Sequence, residues 1–119
     1  MLARHSRPRR TDQLRGEAAF ARVFHSGQRL ETSRVQVVAV PAAEGSGRIG
    51  YVIGRRQLPR AVDRNRLRRL LREAVRGRRT VTRSFDIVVR VRETCLRADL
   101  SRIAAEAAAL LDSLAPARR

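Results

Sequence analysis

The segment from Arg55 to Arg76 constrains this chain more than any other, because it must bury one side and wet the other. From Val62 onward its apolar residues fall at Leu67, Leu70, Leu71, Ala74 and Val75, the spacing of one helical face. At roughly 100° per residue, Asn65, Arg68, Arg69, Arg72 and Arg76 gather on the opposite face, with Arg64 and Arg66 at its borders. One stripe can pack on a core while the other presents a row of guanidinium groups. Such a row fits a polyphosphate backbone, since each planar fork offers two donors to one phosphate.

Charge supports that reading. The 119 residues include 27 basic and 11 acidic side chains, for a formal charge of +16, and every basic residue is Arg. Self-repulsion on this scale opposes compaction unless a polyanion neutralises it, which points to nucleic acid ahead of an acidic membrane surface or an acidic protein. A hydrophobic content of 43% is ordinary for a globular protein and excludes wholesale disorder. No apolar run approaches the roughly 18 residues of a membrane span, and the basic N-terminus lacks the apolar stretch of a signal peptide. The lone Cys95 excludes an internal disulfide, fits a reducing cytoplasm, and reads as a small hydrophobe near a strand end.

Along the chain, residues 1–13 read as a basic mobile tail, 14–115 as a single nucleic-acid-binding α/β domain, and 116–119 as a C-terminal tail. A helix is expected from Glu17 to Ser26, stopped by Gly27, with Phe20, Val23 and Phe24 on one face. Val35 to Val40, ended by Pro41, reads as a strand, and Arg48 to Gly54 as its hairpin partner, with Ile49, Tyr51 and Ile53 packing together. A charged loop with Arg78, Arg79 and Arg83 precedes a third strand, Phe85 to Arg92. Its core side carries Phe85, Ile87, Val89 and Val91, while Arg90 and Arg92 face outward. A last helix carries Leu100, Ile103, Ala107, Leu110, Leu111 and Leu114 after Asp99 as N-cap, with Arg102, Arg118 and Arg119 solvated. The pieces make an α+β fold, a two-layer α/β sandwich with one mixed sheet, in which the arginine helix is the crossover of a βαβ unit.

The order and spacing of these pieces resemble the bacterial ribonuclease P protein subunit. The resemblance rests on Phe20-Ala21-Arg22-Val23-Phe24 with Gly27, on Arg48-Ile49-Gly50, on Arg55-Arg56, and on Ala61-Val62 through Arg64-Asn65-Arg66, Arg68-Arg69 and Arg72-Glu73. It spans residues 14 to about 114, and the Arg-Asn-Arg signature is its specific part. Arg stands at positions 55, 56, 68 and 69, where members often carry Lys. Val38 stands where some place a cleft aromatic, and Gly54 where a small hydroxyl residue is common.

The resemblance implies an αβββαβα-like order and a left-handed βαβ crossover, against the usual preference. It implies a subunit of the ribonucleoprotein that removes the 5′ leader from precursor tRNA, with phosphodiester hydrolysis carried by the RNA partner and its Mg²⁺. On that footing Arg64, Asn65, Arg66, Arg68, Arg69, Arg72 and Arg76 bind the ribonuclease P RNA. Phe20, Phe24, Arg55 and Arg56 line a cleft for the single-stranded leader. No side chain is expected to bind a cofactor or metal, and neither a membrane nor an obligate protein partner is expected.

Other readings stand beside these. An apolar i, i+4 pair such as Phe20 and Phe24 suits a core as well as a cleft. His5 and His25 lack metal-ligand spacing. Asp63, Glu73 and Asp86 are conceivable Mg²⁺ ligands, yet Asp63 and Glu73 stand about 15 Å apart along a helix axis. Moderation of nearby arginine charge, as by Arg69 with Glu73 at i, i+4, suits them better. The rival function is a basic ribosome-associated structural protein.

Overall fold

A computed structural model of the chain describes residues 13–43 and 46–114. The elements run α1 (Glu17–Ser26), β1 (Gln28–Glu31), β2 (Val35–Pro41), β3 (Ile49–Val52), α2 (Ala61–Arg76), the one-turn α3 (Arg79–Thr82), β4 (Phe85–Val91) and α4 (Leu100–Asp112). Arg78, Arg79 and Arg83 thus flank or enter a helical turn, where a loop was expected. The expected tail residues 1–12 and 116–119 lie outside the described residues. Gln13 already bridges to Ile49, and the N–H of buried Leu14 donates to the Ile49 carbonyl at 2.9 Å.

One four-stranded sheet is ordered β1-β2-β4-β3, antiparallel except for the parallel pair β3 and β4. The expected hairpin between Val35–Val40 and Arg48–Gly54 does not form. The β2 hairpin partner is β1, with Glu31 opposite Gln36, and the Thr32 hydroxyl accepts the Arg34 and Val35 N–H groups in the turn. The reason lies in burial. All six residues of Val35–Val40 are buried, so β2 must be covered on both faces and flanked on both edges. β4, equally apolar, takes the inner place beside it, and the chain crosses from β3 to β4 through α2. Gln28–Glu31, polar and alternating half-buried with exposed, is an edge strand that periodicity alone does not announce.

Alternation along the strands divides two cores. Val35, Val37, Ala39, Ile49, Phe85, Ile87, Val89 and Val91 face Leu67, Leu71 and Val75 of α2 and Leu100, Ile103, Ala107 and Leu111 of α4. Val38, Val40 and Val88 face the other way, under α1, where Val23 is fully buried and Phe20 and Phe24 half-buried. Gly27 ends α1 as expected, with an extended backbone. A Cβ there would stand 2.6 Å from both the Val23 carbonyl and Val38 Cγ1, so close approach requires the glycine. Asp99 precedes α4 without capping it. Its Oδ2 accepts the Leu96 N–H at 3.1 Å and closes the 3₁₀ turn Arg97–Asp99.

Tyr51, the chain's only tyrosine, packs against the larger core beside α2. Burial pushes its phenol up to about 12, with Arg72 and Arg79 pulling weakly the other way. The unfolded chain ionises this group from the ordinary value of 10.0, so folding stability falls as pH rises from about 10 to about 12. The loss expected across that window is about 2–3 kcal/mol. Tyrosinate absorbance in the near ultraviolet, followed against pH with and without denaturant, reads it directly. Coincident titrations in the two states would contradict the placement.

Candidate nucleic-acid interface

The apolar stripe of α2 is seated as its spacing requires, with Leu67, Leu71 and Val75 buried and Leu70 and Ala74 half-buried. On the other side Asn65, Arg66, Arg69, Arg72 and Arg76 are exposed, and Arg64 and Arg68 are half-buried. These arginines divide by what they already hold. Arg64 donates to the Leu58 and Pro59 carbonyls at 2.8 and 2.9 Å, tying the linker to the first turn of a helix that no side chain caps. Arg68 donates to Asn65 Oδ1 at 3.3 Å. Arg66, Arg69, Arg72 and Arg76 make no ion pair among the described residues, Glu73 included, so the expected Arg69–Glu73 pair is absent. Four unneutralised guanidinium groups therefore stand along about 15 Å of rigid axis.

Two acidic residues, Asp63 of α2 and Asp86 of β4, turn inward. Asp63 is 8% exposed and accepts from Arg97 Nε at 3.1 Å, joining α2 to the turn before α4. Asp86, 3% exposed, accepts the Arg48 backbone N–H at 2.9 Å and the Arg22 guanidinium. Among the described residues no three His, Cys, Asp or Glu side chains gather where they could hold a metal, and no helix is long and apolar enough to cross a membrane. Cys95 is buried and its Sγ donates to the Glu93 carbonyl. Burial first, and Asp99 second, push its thiol pKa up, away from reactivity.

A second surface lies across the sheet. Phe20 rests on Gly50 of β3, where a Cβ would stand 2.5 Å from the ring. Val38 is completely buried beneath α1 and offers nothing to a ligand. Both phenylalanines pack partly into the small core and leave the rest of each ring at its rim. At the open end Val52 of β3 pairs in register with Arg90 of β4, and the Arg90 guanidinium stands 5.9 Å from the Phe24 ring centroid. Residue spacing placed Arg90 outward but gave no sign of this contact, because Phe24 is distant in sequence. Arg55 and Arg56 are exposed in the turn after β3, held by Gln57 and Leu58 N–H groups donating to the Gly54 carbonyl. That turn leaves the Val52 end of β3, so the basic pair and Arg90 share one end of the sheet.

Comparison with known proteins follows the same outline. A family model described as Ribonuclease P matches residues 9–115. The ribonuclease P protein component of Nitrosomonas eutropha is 33% identical over 114 residues, covering 96% of this chain and 91% of that protein. The component of Chloroflexus aggregans is 34% identical over 105 residues, covering 87% and 77%. The Thermotoga maritima RNase P protein, solved with 1-(4-fluorophenyl)-2-thiourea, superposes with a TM-score of 0.73 at 28% identity over 87% of this chain and 100% of that one. A Staphylococcus aureus RNase P protein mutant shares the fold at 18% identity, with a TM-score of 0.71 over 94% and 92% of the two chains.

Proposed function

The chain belongs to the ribonuclease P protein family, and on that premise we propose how its two basic surfaces serve the holoenzyme. As the protein subunit of this tRNA-processing endoribonuclease, it joins a ribonucleoprotein with the ribonuclease P RNA. The exposed α2 row, Asn65, Arg66, Arg69, Arg72 and Arg76 with Arg64 and Arg68 at its margin, docks on that RNA. The observation behind this assignment is the four guanidinium groups that no carboxylate among the described residues neutralises. Folded RNA is recognised mainly through shape and backbone, which suits arginine on a rigid helix.

The rim of the α1 side takes the single-stranded 5′ leader of precursor tRNA, in the cytoplasm. Half-exposed Phe20 and Phe24 offer ring surface for bases of any sequence, and Arg55 and Arg56 meet phosphates where the chain leaves the cleft. Mature tRNA has no leader, so this contact favours precursor over product. Hydrolysis belongs to the RNA and its bound Mg²⁺, since Asp63 and Asp86 are spent on arginines within the fold. The ribosomal reading accounts for the charge and nothing else.

Purified protein alone is expected to leave precursor tRNA intact, and adding the RNA subunit to give cleavage at low Mg²⁺. In that holoenzyme Phe20→Ala should narrow the precursor-to-mature affinity gap by roughly fivefold, the lower end of what one stacked base contributes. An unchanged gap in a folded variant would return Phe20 to the core alone.

A further inference from the structure

Asp86 is a negative charge on the leader side of a protein whose ligands are all anions. It is 3% exposed, on the α1 face of β4 and in line with Val88 and Arg90. One carboxylate oxygen accepts the Arg48 N–H at 2.9 Å and lies 3.8 Å from Arg48 Nε; the other accepts from Arg22, midway along α1. The apolar hold on α1 is thin, because Val23 is its one fully buried side chain. Phe20 and Phe24 reach the sheet with only part of their surface. Sliding on such a contact costs little, whereas an ion pair with one oxygen at each partner fixes a spacing.

We propose that Asp86 is a positioning residue for the leader: through Arg22 it sets the separation of α1 from β4, and with it the width of the cleft between Phe20, Phe24 and Val52. The proposal rests on the leader-cleft reading above. Asp86 touches no nucleotide in this role. It acts by holding the helix that carries the rings, while its bond to Arg48 anchors the same point of β4 to the start of β3. Arg22 keeps 49% of its side chain exposed, so the pair sits at the boundary of the small core and can be altered without opening it.

Charge gives the test its sign. Asp86→Asn keeps the shape and removes a negative charge, so long-range attraction alone would tighten the binding of any RNA. Positioning demands the opposite for the leader. In the reconstituted holoenzyme, Asp86→Asn is expected to weaken precursor tRNA binding by roughly fivefold, a stacked base's lower contribution, with mature tRNA and RNA-subunit affinities unchanged. Equal or tighter precursor binding overturns the proposal. Should Asp86→Asn fail to fold by circular dichroism, Arg22→Met decides. The same loss is then expected with an unaltered slope of log affinity against log salt. A slope flattened by about one would mark Arg22 as a direct phosphate contact and overturn the positioning role. A wild-type holoenzyme that binds precursor no better than mature tRNA would remove the cleft reading itself, and the positioning role with it.

Discussion

Replacing Arg66, Arg69, Arg72 and Arg76 together by alanine is expected to weaken the complex with ribonuclease P RNA roughly a thousandfold at moderate salt. Each of the four is exposed and holds no carboxylate among the described residues, so docking on phosphate breaks no ion pair there. Their charge-assisted bonds are therefore a net gain, reinforced by counterion release from the RNA. The salt dependence should change with the affinity, the log–log slope flattening by about four. Alanine is the best helix former and relieves like-charge crowding, so the free variant should melt no earlier than the parent. Filter binding across a salt series and a thermal melt of the free protein measure both. Arg102→Ala, on the exposed side of α4, serves as the control that changes charge but not docking. A quadruple variant that binds within tenfold of the parent would mean that the RNA sits elsewhere.

Leu67→Ala is expected to cost about 2–5 kcal/mol of folding stability. Leu67 is fully buried where α2 meets α4 over the sheet, and truncation leaves a cavity that a four-stranded sheet cannot close. A small domain has only about 5–15 kcal/mol to lose. The free protein also works against its own formal charge of +16. The variant should therefore be substantially unfolded at low ionic strength and recover on addition of phosphate or the RNA subunit, through their tighter binding to the folded form. Denaturant melts at two salt concentrations, with and without RNA, give the result. A loss under about 1 kcal/mol would show that the helix is held by its polar contacts instead.

Elements with a strong internal period were legible in the sequence. The stripe Leu67, Leu71, Val75 and the series Leu100, Ile103, Ala107, Leu111 each name a buried helical face, and both are buried as read. The third strand placed Phe85, Ile87, Val89 and Val91 inward, where they are found. Pairing was not legible. Alternation says which side of a strand is apolar and nothing about which strand lies beside it, so β4 entered between β2 and β3 unannounced. The αβββαβα order implied by the resemblance leaves room for β1, but no local pattern marked it, because Gln28, Arg29, Leu30 and Glu31 hold neither a β-branched residue nor a two-sided apolar pattern.

The site divided in the same way. The arginine face of α2 could be drawn from spacing, since a helix fixes where its own residues point. Its internal commitments could not: Arg64 turned back to the Leu58 and Pro59 carbonyls, and Asp63 turned inward to Arg97. The contacts beside α1, Arg22 with Asp86 and Arg90 near Phe24, join residues far apart in the chain. No local pattern encodes such pairs, and the family resemblance does not supply them.

The central strands belong to both compartments at once. On β2, β3 and β4 the odd-numbered positions look toward α2 and α4 and the even-numbered ones toward α1. Parity therefore sorts phenotype more sharply than proximity does. With the proposed roles of the two faces, a lesion at Val89 is expected to register in holoenzyme assembly and one at its neighbour Val88 in substrate choice, and deleting a single residue of β4 to exchange the two readouts along the whole ribbon.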